Sequence, residues 1–241
     1  YDLINGDIMS LPKIDVPLHT VKLEGIKKNV KYRSYTVKEE KLLLMAAESK
    51  DQKEISDTVI RLCQGCVITK IDIESLPMTD LEKLMITIRS KSVGEAAKVG
   101  LVCPHCEKKT DMSVDLENMI QVGDDTIEDK IMLNKQYGLK LKPPSLISVE
   151  ENASDELNLI NNSIISVIDS LFDKDNVYLF SDYSQDEKVE FVDSMSIEDA
   201  KKITEGYLEK LPRNVIKLDY ECPHCNNRIS RELDNLIDFF T

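Results

Sequence analysis

The sequence contains no tryptophan, and aromatic residues make up only 5% of its 241 positions. Its interior must therefore be assembled mainly from Ile, Leu, Val and Met, which suffices for folded domains. Long apolar runs are also missing. The richest, Leu42-Leu43-Leu44-Met45-Ala46-Ala47, falls far short of the roughly 18 to 20 residues that cross a bilayer, so no membrane span is expected. Positive charge is scarce, with 31 Lys and Arg against 44 Asp and Glu and a net charge of −13. Phosphate backbones would repel such a chain, which argues against a general nucleic-acid coat. The opening Tyr1-Asp2 stretch lacks the charged-then-apolar pattern of a secretory signal.

Catalytic signatures are missing as well. There are three His, no Gly-rich phosphate loop, no nucleophile elbow and no helical H-E-x-x-H, so no enzyme is expected. The neighbouring carboxylates Glu39-Glu40, Asp124-Asp125 and Glu150-Glu151 read as solvated surface rather than acid/base dyads.

What the sequence does have is paired cysteine. All six Cys lie in C-x-x-C pairs, at Cys63/Cys66, Cys103/Cys106 and Cys222/Cys225, a spacing that favours metal or redox chemistry in a reducing compartment over a disulfide framework. Cys103-Pro104-His105-Cys106 recurs as Cys222-Pro223-His224-Cys225, and the echo extends from Asp115-Leu116-Glu117-Asn118-Met119-Ile120 to Glu232-Leu233-Asp234-Asn235-Leu236-Ile237. Each knuckle turns two thiolates toward one point, and two knuckles complete the four-sulfur tetrahedron that zinc takes. Cys103, Cys106, Cys222 and Cys225 are thus the expected ligands of one structural Zn2+. The halves are separated by residues 107 to 221, 115 in all, far beyond the usual window of about 15 to 20. Rubredoxin-like iron is the metal alternative, ranked lower because Glu107 and Asn226 stand where such knuckles carry Gly.

Cys63-Gln64-Gly65-Cys66 has no matching partner pair. It falls at the end of an expected helix that stops at Gly65, whereas a dithiol active site needs the helix start, where the dipole lowers a thiol pKa. Packing is the expected role. His105 and His224, inside the knuckles, are expected to be exposed or locally bonded, and His19 has no partner pattern.

The pattern of elements is α+β. Residues 1–34 read as an extended arm with one or two short strands, and 35–96 as a helical subdomain. Its first helix starts at the capping box Thr36-Val37-Lys38-Glu39, and its third at Thr79-Asp80-Leu81-Glu82. Residues 97–122 and 213–241 form the two halves of a zinc-ribbon-like β module, and 123–212 a mostly helical insertion. In that insertion Leu157, Ile160, Ile164, Ile168 and Leu171 form one helical stripe. Ile197, Ala200, Ile203, Tyr207 and Leu211 form another, which ends at Pro212. Leu139 to Lys142 reads as a short strand.

The order of these motifs resembles a known family. The helix Thr36 to Leu43, a second helix ending near Cys63, and Leu81 to Arg89 leading through Gly94 to the first knuckle are followed by Lys140-Leu141 to Pro144 and Glu190 to Ser194. Tyr207 to Pro212, the second knuckle and the terminal Leu236-Ile237-Asp238-Phe239-Phe240 complete the series. Over residues 31 to 240 the chain is similar to the baseplate hub subunit and hub assembly proteins of T4-like contractile-tailed bacteriophages. That resemblance implies a non-enzymatic structural or assembly component of the tail baseplate, acting at or near the central hub beside other tail proteins. Its place would be the virion tail, or the host cytoplasm during assembly. The alternative is a zinc-ribbon nucleic-acid or transcription-associated module using Lys108, Lys109 and Arg228 as basic tips, although so few aromatics make a weak stacking platform.

Overall fold

A computed structural model describes residues 14–49, 52–123, 127–151 and 159–234. The chain opens with an antiparallel hairpin, β1 (Leu18–Leu23) and β2 (Lys28–Arg33), in register from Leu18 opposite Arg33 to Leu23 opposite Lys28. Strict alternation buries Val21, Leu23, Val30 and Tyr32 on one face. Three helices follow: α1 (Val37–Ser49), α2 (Gln52–Cys66) and α3 (Met78–Val93). The hairpin packs its apolar face on α2 and α3, sharing a core with Ile60, Leu62, Cys63, Leu81, Leu84 and Ile88. The described part of the expected arm is therefore a core element. Its short strands could not be recognised as packed because their partner surface lies on helices further along the chain.

A second core forms around β3 (Ala96–Val102) and β4 (Lys109–Asp115), an antiparallel hairpin. After a 3-10 turn at Leu116–Asn118, β5 (Ile120–Val122) pairs with the far strand β10 (Arg213–Glu221), Ile120 opposite Val215. β10 pairs in turn with β11 (Arg228–Leu233), giving the sheet order β11-β10-β5. Ala97, Val99, Leu101, Val114, Leu116 and Ile216 fill the space between the hairpins, with Ile86 of α3 entering from the helical layer.

The segment between contains a four-stranded antiparallel sheet, β6 (Lys130–Met132), β7 (Gly138–Leu141), β8 (Ile168–Phe172) and β9 (Val177–Leu179), in sequential order. Helices α4 (Leu146–Glu151), α5 (Leu159–Val167), α6 (Gln185–Asp193) and α7 (Ile197–Thr204) accompany it. Leu139, Leu141, Ile164, Val167, Ile203 and Tyr207 make their core. No helix of the described residues is long and apolar enough to cross a membrane.

Several local expectations are corrected. The stripe from Ile160 to Leu171 is not one helix, because α5 ends at Val167 and Ile168 and Leu171 lie in β8; Leu157 lies outside the described residues. A run of apolar residues at 3- and 4-residue spacing cannot distinguish a helix from a helix that passes directly into a buried strand. The stripe from Ile197 likewise breaks at Thr204, and Ile197 itself is exposed. α3 starts at Met78 behind Pro77, with no side-chain cap. Thr79 and Glu82, read as its capping box, instead serve a tertiary contact: the Asn214 amide donates to the Thr79 carbonyl at 2.7 Å and to Glu82 at 3.1 Å. The box expected at α1 is present in part, since the Thr36 amide donates to the Glu39 carboxylate at 2.7 Å. α2 runs through Gly65 to Cys66.

Candidate metal centre

The position of the four knuckle cysteines follows from strand phase. In β3 the inward residues are Ala97, Val99 and Leu101, and the next in phase is Cys103, which is buried. In β10 the inward row runs Ile216, Leu218, Tyr220 and then buried Cys222. Each strand thus delivers its first cysteine toward the same interior that its apolar residues fill.

Both chains then turn identically. The Cys103 amide donates to the Lys108 carbonyl at 3.0 Å, and the Glu107 amide to the Cys103 carbonyl at 2.9 Å. In the second knuckle the Cys222 amide donates to Asn227 at 2.9 Å, and the Asn226 amide to Cys222 at 2.8 Å. The turns close through left-handed residues, Glu107 at φ 58° and Asn226 at φ 57°. These are the two positions where the sequence lacks the customary glycine.

The result is a four-sulfur cluster. Cys103 Sγ lies 3.7 Å from Cys225 Sγ, and Cys106 Sγ 3.8 Å from Cys222 Sγ. All four sulfurs fall within 4.8 Å of one another. Disulfide bonding would need about 2.05 Å. A tetrahedral ion with metal–sulfur bonds of about 2.3 Å sets its sulfurs about 3.8 Å apart. The donor set therefore fits a thiophilic metal ion, and among the described residues no other group of three or more His, Cys, Asp or Glu converges in this way. Ile229 and Tyr220 pack against the sulfurs.

The electrostatics agree with that fit. The backbone amide of Asn227, then its side-chain amide (3.4 Å from Sγ), lower the Cys225 thiol to about 6. At Cys106 the Lys108 amide pulls downward, but burial and the neighbouring thiols Cys103, Cys225 and Cys222 push the group up to about 12. The thiols of the cluster thus differ, Cys225 giving up its proton readily and Cys106 resisting.

Comparison with protein families then decides the relationship. The family model described as T4 bacteriophage base plate protein matches residues 16–241. The chain belongs to this family. It is a T4-like baseplate protein, part of the phage tail, and it associates with other baseplate proteins. No curated protein and no solved structure matches the chain.

In this baseplate protein Cys63, Cys66, His19 and Glu39 sit apart from the cluster, whereas His105 and His224 belong to its knuckles. Cys63 and Cys66 are fully buried in the first core, in the last turns of α2. Burial pushes the Cys63 thiol well up. It also raises Cys66, to about 11, against the pull of the Arg33 guanidinium and with the push of Glu39. Neither is an activated nucleophile. His105 and His224 are exposed on the knuckles, and His19 packs on Tyr32 with ring centroids 5.5 Å apart. Glu39, read as solvated surface, is instead in an ion pair with Arg33 at 2.7 Å. Asn227 is the residue of the site that sequence reasoning missed; its place directly after the left-handed Asn226 was the available signal.

Proposed function

We propose that this baseplate protein is a non-enzymatic structural or assembly component acting at or near the central hub, and that one structural zinc bound by Cys103, Cys106, Cys222 and Cys225 closes a zinc ribbon split in sequence. The observation that carries the zinc reading is the pair of sulfur separations, 3.7 and 3.8 Å, between knuckles 115 residues apart. The ion would tie β3–β4 to β10–β11, and with them both ends of the four-stranded insertion. It contributes fold stability that a region poor in aromatic residues otherwise lacks. The nucleic-acid alternative has only the exposed Lys108, Lys109 and Arg228 at its tips, in a chain of net charge −13.

The hub assignment rests on family membership together with the motif order, and cryo-electron microscopy of tails carrying a tagged copy tests it. Density from the tag at the tail axis supports a resident hub subunit. Absence from mature tails, with presence on baseplate intermediates in the host cytoplasm, supports an assembly factor. Density only at the baseplate periphery would refute hub action. Zinc is tested against iron by the absorption of the purified protein, colourless for zinc and red for an iron–tetrathiolate site.

A further inference from the structure

A cavity of 620 Å³ opens between the β6–β7 turn and β9 on one side and α6 with the start of α7 on the other. It lies well away from the cysteine knuckles in sequence, and its volume falls within the range of about 300 to 1,000 Å³ typical of ligand sites.

Its lining is unusual for this chain. Tyr137, Tyr178, Phe180, Tyr183 and Phe191 all border it, half of the ten aromatic residues among the described positions. Four of the five rings have partners. Phe180 meets Phe191 edge-on, centroids 5.6 Å apart; the Tyr178 hydroxyl donates to Asp173 at 3.2 Å; the Gln136 amide donates to the Tyr137 hydroxyl at 3.2 Å. Aromatic side chains held in this way form preorganised surfaces for an apolar anchor.

The lining itself holds Glu187, Lys188 and Asp199, and the chain that forms this side of the cavity is predominantly acidic. From Asp182 to Asp199 there are seven carboxylates and one basic residue, Lys188. Lys202 pairs with Asp199 at 2.8 Å and Glu198 at 3.6 Å. The other five, Asp182, Asp186, Glu187, Glu190 and Asp193, have no ion pair among the described residues. An acidic field around an apolar cavity favours a cationic occupant and disfavours nucleic acid, anionic lipid and a second copy of a chain that itself carries −13. A cavity in this range takes a drug-sized group, which a few side chains of one extended segment would match.

We infer that this cavity is a docking site for an extended segment of another tail protein, one that inserts an aromatic or large aliphatic side chain and flanks it with Lys or Arg. The inference rests on the baseplate reading for its class of partner, and its chemistry can be tested independently of it. The test is NMR titration of the 15N-labelled full chain with three capped tripeptides, N-acetyl-Phe-Lys-Lys-amide, N-acetyl-Phe-Glu-Glu-amide and N-acetyl-Ser-Lys-Lys-amide. The first is expected to shift amides of residues 133–137 and 178–199 and to bind at least about fivefold tighter than either of the others, its affinity falling as salt is raised. Tyr183→Ser removes an exposed ring and should weaken binding about threefold or more. Asp186→Lys with Glu190→Lys, both outside the lining, should erase the preference for Lys over Glu while the melting temperature stays close to that of the parent. No binding of the first peptide, equal binding of all three, preference for the acidic peptide, or shifts elsewhere would overturn the proposal. Those outcomes leave the tail location untouched, whereas a chain absent from tails and their intermediates yet binding the first peptide would overturn the baseplate reading alone.

Discussion

The carboxylate of Asp80 holds the turn of the first hairpin: it accepts the Gly25 amide at 3.0 Å and the Ile26 amide at 2.9 Å. Asp80 is wholly buried in the first turn of α3, and a Cβ on Gly25 would stand 2.7 Å from its Oδ2. One short acidic side chain thus fixes where β1 and β2 meet the helical layer, 54 and 55 residues away.

Asp80→Ala should leave two amides without acceptors and cost about 2 to 4 kcal/mol, read as the shift in urea unfolding. Gly25→Ala should also destabilise, by collision with the same carboxylate. A loss below about 0.5 kcal/mol for Asp80→Ala would show that water replaces the carboxylate without penalty.

Glu39 gives the fold a defined acid sensitivity. Burial alone would raise its pKa, but the Arg33 guanidinium and the Thr36 hydroxyl and amide lower it from the ordinary 4.5 to about 2. A depressed folded pKa means stabilisation that is complete above about 4.5 and lost as pH falls through about 2. Glu39→Gln should therefore cost about 1 to 3 kcal/mol at pH 7, and the gap to the parent protein should close as pH falls from 4.5 toward 2. Denaturant unfolding at pH 7, 4 and 3 measures it; a gap independent of pH would remove the ion pair from the account.

The knuckle turns hold L-residues where glycine costs least. Glu107→Gly should raise stability by up to about 1 kcal/mol, and Asn226→Gly by less, because asparagine tolerates the left-handed region better than glutamate does. Thermal melts of the metal-loaded protein compare them. A clear loss for Glu107→Gly would mean that its side chain contributes something beyond the turn.

Thiol reactivity separates the two classes of cysteine. With chelator present, alkylation followed by mass spectrometry should label Cys103, Cys106, Cys222 and Cys225 first. Cys63 and Cys66 should react at least about tenfold more slowly until denaturant is added. Fast labelling of Cys63 or Cys66 in the native protein would reopen a redox role for that pair.

How far the sequence carried these conclusions depended on the range of each signal. The repeated Cys-Pro-His-Cys knuckle identified four residues that the fold does bring together, because a motif that prescribes its own turn needs no knowledge of its surroundings. The strands on either side and the third helix, α3, were legible because their patterns are local. That the chain is a T4-like baseplate protein was legible from motif order. Long-range contacts were not: β5 is three residues long and exists by pairing with β10, and nothing near Asp80 announces the hairpin it holds. The four-stranded sheet escaped because its strands are three to five residues long and one follows directly from α5. Glu39 looked solvated because its partner Arg33 lies across a turn, outside helical spacing.

One zinc ion is proposed to join two knuckles 115 residues apart. Its most direct test is the metal content of the purified, chelator-washed protein and of Cys222→Ser. About one zinc per parent chain is expected, and in Cys222→Ser the loss of both the metal and the order of the Cys103 knuckle, because each half supplies two of the four ligands. Less than about half an ion per parent chain, or a Cys222→Ser protein that keeps its first knuckle ordered and metal-loaded, would contradict it.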